Sequence, residues 1–318
     1  MIVTVTLNPA LDKSTETDKL IPEKKLRCSE LVVEAGGGGI NVSKAIKKLG
    51  GESLAIFPSG GKNGEALEQT LRDLQITFKS VPVKSNTREN LVVRETHTNS
   101  QFRFVMPGAS LSSADADACI RVLKTCKPVP SIIVASGSLP PGIEEDFYAR
   151  LATVAREIGA RYIVDTSGHP LQLAAEKGVF LLKPNLNELS NLVGQESLDI
   201  MDVDDAAMEV IRKGQCEVIV VSLGASGALL VTKTGYEHIP APNVKKKSTV
   251  GAGDSTVAGM VWMLSQGKPL REVVRFGVAC GSAATMNAGS QLFKKEDALR
   301  LFDWINLHAE KYSLNLDN

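Results

Sequence analysis

Apolar and polar positions follow two rhythms along this chain. Short β-branched runs recur as IVTVTL (2–7), SLAIF (53–57), SIIVAS (131–136), RYIVD (161–165), VFLLK (179–183) and EVIVVS (217–222). Between most of them, apolar residues fall at helical spacing, as in INVSKAIKKLG (40–50), GEALEQTLRDL (64–74), ADADACIRVLKTC (114–126) and EDFYARLATVAREIG (145–159). Strands alternating with helices predict parallel pairing through right-handed crossovers, with helices on both faces. The expected fold is a doubly wound, mainly parallel α/β sheet. Ligands of such sheets bind outside the carboxyl ends of the strands.

Two segments, residues 12–34 and 88–106, break the rhythm. NLVVRETHTNSQFRFVM (90–106) reads as two strands joined by a polar turn at Thr98–Ser100, with Phe102, Phe104 and Met106 alternating with Gln101, Arg103 and Val105. A small β-sheet inserted into one α/β domain cannot bury both faces alone. It is expected to cover the active site, to pair with a second copy, or both. From Gly251 onward the pattern is helical, with REVVRFGVACGSAATM (271–286) and EDALRLFDWINLHAEKY (296–312) as further helices.

Composition narrows the classes. The 318 residues carry 36 Lys+Arg and 36 Asp+Glu, so no basic excess drives nucleic-acid or acidic-membrane binding. The start of the chain lacks the features of a secretory signal, and no apolar stretch is long enough to span a bilayer, so a cytoplasmic location is expected. The five scattered cysteines have no C-x-x-C spacing and are expected to be buried, reduced thiols. The run Lys245–Lys247 reads first as a solvated loop and second as phosphate-facing.

The candidate chemistry sits in glycine turns. In TVGAGDSTVAGM (249–260), Gly251 and Gly253 make a turn, Asp254 stands at the start of a helix, and Val257, Ala258, Met260 and Val261 form its buried face. Either Asp254 merely suits the positive end of the helix dipole, or the turn holds a phosphate chain and Asp254 takes a proton beside it. Four consecutive glycines, Gly36–Gly39, precede another helix. That run suits close backbone approach to hydroxyls or phosphate, and Asn41 in the first turn can donate and accept. There is neither a Rossmann fingerprint nor a P-loop. In LLKPNLNELSNL (181–192), Asn185 and Glu188 lie one turn apart, as a capping box or as outer partners of hydrated Mg²⁺. Ser222, Gly224 and Gly227 mark a strand–turn–strand that could border a nucleotide.

GGGGINVSKA, KPNLNE and STVGAGDSTVAG together resemble the signature regions of the ribokinase-like, phosphofructokinase B family of sugar kinases, along essentially the whole chain. TLNPALD, KLRC, FRFVMPGA, SGSLPPG and FGVACGSAAT resemble the branch acting on fructose 6-phosphate. Kinases for fructose 1-phosphate and tagatose 6-phosphate share TLNPALD but carry Lys within the glycine run, where this chain has Gly38. The resemblance implies transfer of the γ-phosphate of MgATP to the 1-hydroxyl of fructose 6-phosphate, in a homodimer closed by the β lid. It implies Asp254 as base and the amides of Gly251, Ala252 and Gly253 as anion hole. It implies sugar contacts from Asp12, Gly37, Gly38, Asn41 and Ser138, with Lys25, Arg27 and Arg88 on the 6-phosphate and Arg103 reaching a neighbouring subunit. Lys183, Asn185, Glu188, Ser222, Gly224, Gly227 and Ser248 fall on the ATP and Mg²⁺ side. Ser248, Val250, Ala284 and Gly289 would lie near a K⁺ ion. The alternatives are the same chemistry on tagatose 6-phosphate or fructose 1-phosphate, and a non-catalytic sensor of sugar phosphate and ATP.

Overall fold

The structure, a computed structural model, describes residues 1–287 and 291–309. The chain opens with β1 (Ile2–Val5), β2 (Ala10–Thr17), β3 (Val32–Gly36), α1 (Gly38–Lys48), β4 (Leu54–Ser59), α2 (Gly61–Asp73) and β5 (Thr77–Pro82). It continues with β6 (Arg88–Glu95), β7 (Ser100–Val105), α3 (Ser113–Lys124), β8 (Ile132–Ser136), α4 (Phe147–Glu157), β9 (Arg161–Asp165) and α5 (His169–Glu176). Then come β10 (Val179–Leu182), α6 (Leu186–Leu192), α7 (Val203–Arg212), β11 (Cys216–Ser222), β12 (Ala228–Thr232) and β13 (Gly235–Ile239). Helices α8 (Ala252–Ser265), α9 (Leu270–Thr285) and α10 (Lys295–Ala309) close it.

Nine strands form one sheet in the order β13-β12-β11-β10-β9-β8-β1-β4-β5. The strands from β11 to β5 pair in parallel, whereas β11-β12-β13 are antiparallel because short connections, not α-helical crossovers, join them. Both faces of the sheet are covered, so its strands are apolar on both sides. Val3, Val5, Ile133, Ala135, Ile219 and Val221 point into one core, packed by α3–α7. Ile2, Ile132, Val134, Val218 and Val220 point into the other, packed by α1 and α8–α10. Val257, Ala258, Met260 and Val261 of α8 are fully buried there, as their spacing predicts. Glycines let α8 and α9 approach closely: a Cβ on Gly277 would lie 2.5 Å from Met260 Cγ, and one on Gly281 2.2 Å from Thr256 Oγ1.

The two irregular segments build a separate four-stranded sheet, β3-β2-β6-β7. The predicted hairpin is present, with Asn90–Glu95 antiparallel to Ser100–Val105. Strand β2 pairs in parallel with β6, a junction between distant segments that local pattern cannot show. Leu31, Val32, Val33, Phe102, Phe104 and Val105 are exposed on this sheet or at its edge. Four cysteines are buried, but Cys28 is exposed, contrary to the expectation of five buried thiols. Among the described residues, no helix is long and apolar enough to cross a membrane.

Candidate active site

The polar residues gather at the carboxyl ends of the central strands. Ser136 ends β8, Asp165 ends β9, Lys183 follows β10 and Ser222 ends β11. Facing them are the starts of α1 and α8. Helix α1 begins at Gly38, earlier than its apolar pattern suggests, so only Gly36 and Gly37 of the glycine run precede it. Gly37, at φ +112°, is a conformation that a side chain would oppose. A Cβ on Gly38 would lie 2.2 Å from Ser136 Oγ, so the helix start can sit against β8 only as glycine. Thr6 Oγ1 accepts from the amide of Ile40 at 2.9 Å and fixes that approach.

Helix α8 starts after Gly251, which holds a left-handed turn at φ +71°. The Asp254 carboxylate does not serve this helix end. Oδ2 accepts from Asn41 Nδ2 at 2.9 Å, and Oδ1 from Ser136 Oγ at 3.4 Å. Burial, then the nearby Asp165, push its pKa up to about 6, against the hydrogen bond from Asn41 and the charge of Lys183. An acid held there is tuned toward neutral pH, as a proton acceptor should be.

Lys183 Nζ pairs with Asp165 Oδ1 at 3.1 Å. Burial works against its charge, but Asp165, Glu188 and Asp254 hold its pKa above the ordinary lysine value. A Cβ on Gly253 would lie 3.6 Å from Lys183 Nζ, so this cation stands directly over the start of α8. Lys183, Ser222, Gly224, Gly227, Ala252 and Gly253 line one cleft of about 460 Å³ with apolar walls such as Val220, Val244 and Val278. That volume and lining suit a nucleotide. Lys246 lines the same cleft, which favours the phosphate-facing reading of that residue.

Asn185 and Glu188 form the capping box of α6, each backbone amide donating to the other side chain at 2.9 Å. The structure thus bears out the bland reading of this pair. Among the described residues Glu188 Oε1 has no hydrogen-bond partner, and burial raises the pKa of the carboxyl. One oxygen therefore remains for a hydrated cation. Among the described residues, no three of His, Cys, Asp and Glu cluster to hold a metal by themselves. This donor set fits a Mg²⁺ ion carried on nucleotide phosphates through water.

The sugar side is built from β2, β6 and the turn after β1. Asp12 Oδ1 accepts from Asn90 Nδ2 at 2.8 Å, and burial raises its pKa. Arg88 donates to Asn8 O at 3.1 Å and Met106 O at 3.2 Å. Asn8 Nδ2 donates to the exposed Ser138 at 3.1 Å. Among the described residues, two buried polar atoms here have no partner, Asn41 Oδ1 and Arg88 Nε. An orphaned acceptor and an orphaned cationic donor in one region call for a ligand with a hydroxyl and an anionic group.

Lys25 and Arg27 are exposed on the segment between β2 and β3, and among the described residues neither makes an ion pair. Arg103 does not extend away from its own chain: Nη2 donates to Thr249 Oγ1 at 3.0 Å, reaching the loop before α8. Gln101 Oε1 also accepts from Ser248 Oγ, at 3.3 Å, so β7 is tied to that loop twice. Ser248 Oγ accepts from the amide of Val250 at 3.1 Å, and Ala284 O from that of Asn287 at 3.1 Å. Gly289 lies outside the described residues. Sequence reasoning missed Thr6, Asn8, Ser136 and Asp165, which act only through partners far away in the chain.

Comparison with known proteins agrees with this arrangement. The family model for pfkB carbohydrate kinases matches residues 6–297. The chain is 44% identical over 308 residues to the ATP-dependent 6-phosphofructokinase isozyme 2 of Escherichia coli (strain K12), covering 96% of this chain and 99% of that protein. It is 32% identical over 290 residues to the 1-phosphofructokinase of Bacillus subtilis (strain 168), covering 90% and 93%. The crystal structure of the Escherichia coli phosphofructokinase-2 with substrates and products has a TM-score of 0.91 at 43% identity, covering 96% of this chain and 99% of that one. Crystal structures of that enzyme with potassium and with fructose-6-phosphate, at the same coverage, have TM-scores of 0.91 and 0.90 at 44% and 42% identity. The chain belongs to the pfkB family of carbohydrate kinases.

Proposed function

We propose that the protein transfers the γ-phosphoryl group of ATP to the 1-hydroxyl of fructose 6-phosphate. The observation that carries this reading is the Asp254 carboxylate, held by Asn41 and Ser136 between the sugar-side glycine turn and the start of α8. The 1-hydroxyl oxygen bonds to the γ-phosphorus, the bond from that phosphorus to the bridging oxygen breaks, and ADP leaves with the bridging electrons. The hydroxyl proton passes to Asp254. The amides of Gly251, Ala252 and Gly253 and the dipole of α8 face the charge on the moving group. Lys183 neutralises nucleotide phosphates; Glu188 and Asn185 would hold the waters of a nucleotide-bound Mg²⁺, which would supply further charge neutralisation. Asn41 Oδ1 and Asp12 take sugar hydroxyls, with Ser138 and the backbone of Gly37 and Gly38 alongside. Arg88, and Lys25 and Arg27 from the segment between β2 and β3, grip the 6-phosphate.

The small sheet acts as a lid that excludes competing water. Its exposed apolar face, with Phe102, Phe104 and Met106, pairs with a second copy to make a homodimer. K⁺ would bind beside the anion hole near Ser248, Val250 and Ala284; the crystal structure of the Escherichia coli relative in complex with potassium supports K⁺ as a ligand. Both substrates are cytoplasmic metabolites, so the enzyme works in the cytoplasm.

The test is ADP formation by the purified protein on fructose 6-phosphate, tagatose 6-phosphate and fructose 1-phosphate. Fructose 6-phosphate is expected to give the highest kcat/KM. A higher value on either of the others would reassign the substrate. Binding of both ligands with no ADP formed would make the protein a sensor.

A further inference from the structure

A second cavity, of about 260 Å³, shares no lining residue with the nucleotide cleft. Lys44, Lys47 and Lys48 of α1 and Lys294 before α10 face it, with Leu74, Ile76 and Phe293 as apolar wall and Glu34 as the one acid among the described residues. Glu34 Oε1 lies 3.9 Å from Lys44 Nζ. Among the described residues, Lys47, Lys48 and Lys294 make no ion pair. The negative end of the α1 dipole explains cations in its last turn. It does not explain Lys44, which is 94% buried in mid-helix, nor Lys294, which comes from a separate element. Lys44 Nζ donates to Ala35 O at 2.8 Å. Burial, and after it the like charge of Lys48, act against its ammonium, while Glu34 and Asp12 favour it. Four lysines around one carboxylate leave an excess of positive charge over an apolar floor.

We propose that this cavity binds a small organic phosphate dianion that carries an apolar ring or chain. The phosphate lies among Lys47, Lys48 and Lys294, and the apolar part lies on Leu74, Ile76 and Phe293. Lys44 then links the occupant to the sugar side, because its ammonium holds the carbonyl just before the glycine turn and Asn41 stands one helical turn earlier on α1.

The probe is phenyl phosphate, titrated calorimetrically into the full chain with the nucleotide cleft filled by a non-hydrolysable ATP analogue. Binding is scored without turnover, so failure here leaves the kinase reading intact. Saturable binding is expected, weakened about 10-fold or more by the Lys47→Ala/Lys48→Ala/Lys294→Ala triple variant. Lys294→Glu alone, on its own loop, is expected to weaken it in the same sense and serves if the triple variant does not fold. Inorganic phosphate is expected to bind more weakly than phenyl phosphate. Absence of saturable binding, equal affinity in the lysine variants, or equal affinity for inorganic phosphate would each overturn the proposal.

Discussion

Asn41 Nδ2 donates to Asp254 Oδ2 at 2.9 Å although 213 residues separate the two. One bond thus joins the first turns of α1 and α8 and favours the charged carboxylate. Asn41→Ala removes it and also removes the orphaned Oδ1. The acidic limb of the kcat/KM profile for the sugar phosphate should move to higher pH, with kcat/KM falling roughly 10–100-fold. An unmoved limb would separate Asn41 from the titration of Asp254.

Lys183 shields Asp254 from Asp165. Lys183→Met leaves Asp165 without its ion-pair partner near the base and should raise the pKa of Asp254 further. We expect KM for ATP to rise and the acidic limb to move upward together. A rise in KM alone, with an unchanged pH profile, would leave Lys183 as a nucleotide contact only.

Among the described residues, Arg88 is the one cation on the sugar side with a buried, unpartnered donor. Arg88→Ala should raise KM for the sugar phosphate about 10–100-fold and KM for ATP far less. Equal effects on both substrates would move Arg88 out of the sugar site.

Gly277 fixes the contact between α8 and α9. A Cβ there meets Met260 Cγ at 2.5 Å and the backbone oxygen of Thr256 at 2.9 Å, and the latter cannot swing aside. Gly277→Val should lower the urea unfolding free energy by about 2 kcal/mol or more. Unchanged stability would show that the two helices separate at little cost.

The α/β rhythm, the hairpin at Thr98–Ser100 and the two glycine turns were legible because each is written in neighbouring residues. The parallel pairing of β2 with β6 was not, because its partners are more than 70 residues apart. The same reason hides Ser136 and Asp165, ordinary strand-end residues that acquire a role only when α8 is set against β8–β10. Asp254 itself was legible, but its two readings were separable only once its partners proved to be Asn41 and Ser136 rather than the helix end. Arg103 shows the same limit: the resemblance points it at a neighbouring subunit, whereas its guanidinium donates to Thr249 Oγ1 of its own chain, 146 residues away.

The central claim is that Asp254 takes the hydroxyl proton, and Asp254→Asn tests it most directly. Its folded pKa of about 6 exceeds the ordinary 3.8. The charged form therefore costs stability above pH 6, and that cost fades as pH falls toward 4. The amide should thus unfold at a higher temperature than wild type at pH 8, with a gain that shrinks in acid. At pH 8, with ATP affinity measured on the same preparations, the account predicts intact nucleotide binding and a kcat on fructose 6-phosphate reduced about 10²–10⁴-fold. A variant that keeps a tenth or more of wild-type kcat would contradict it.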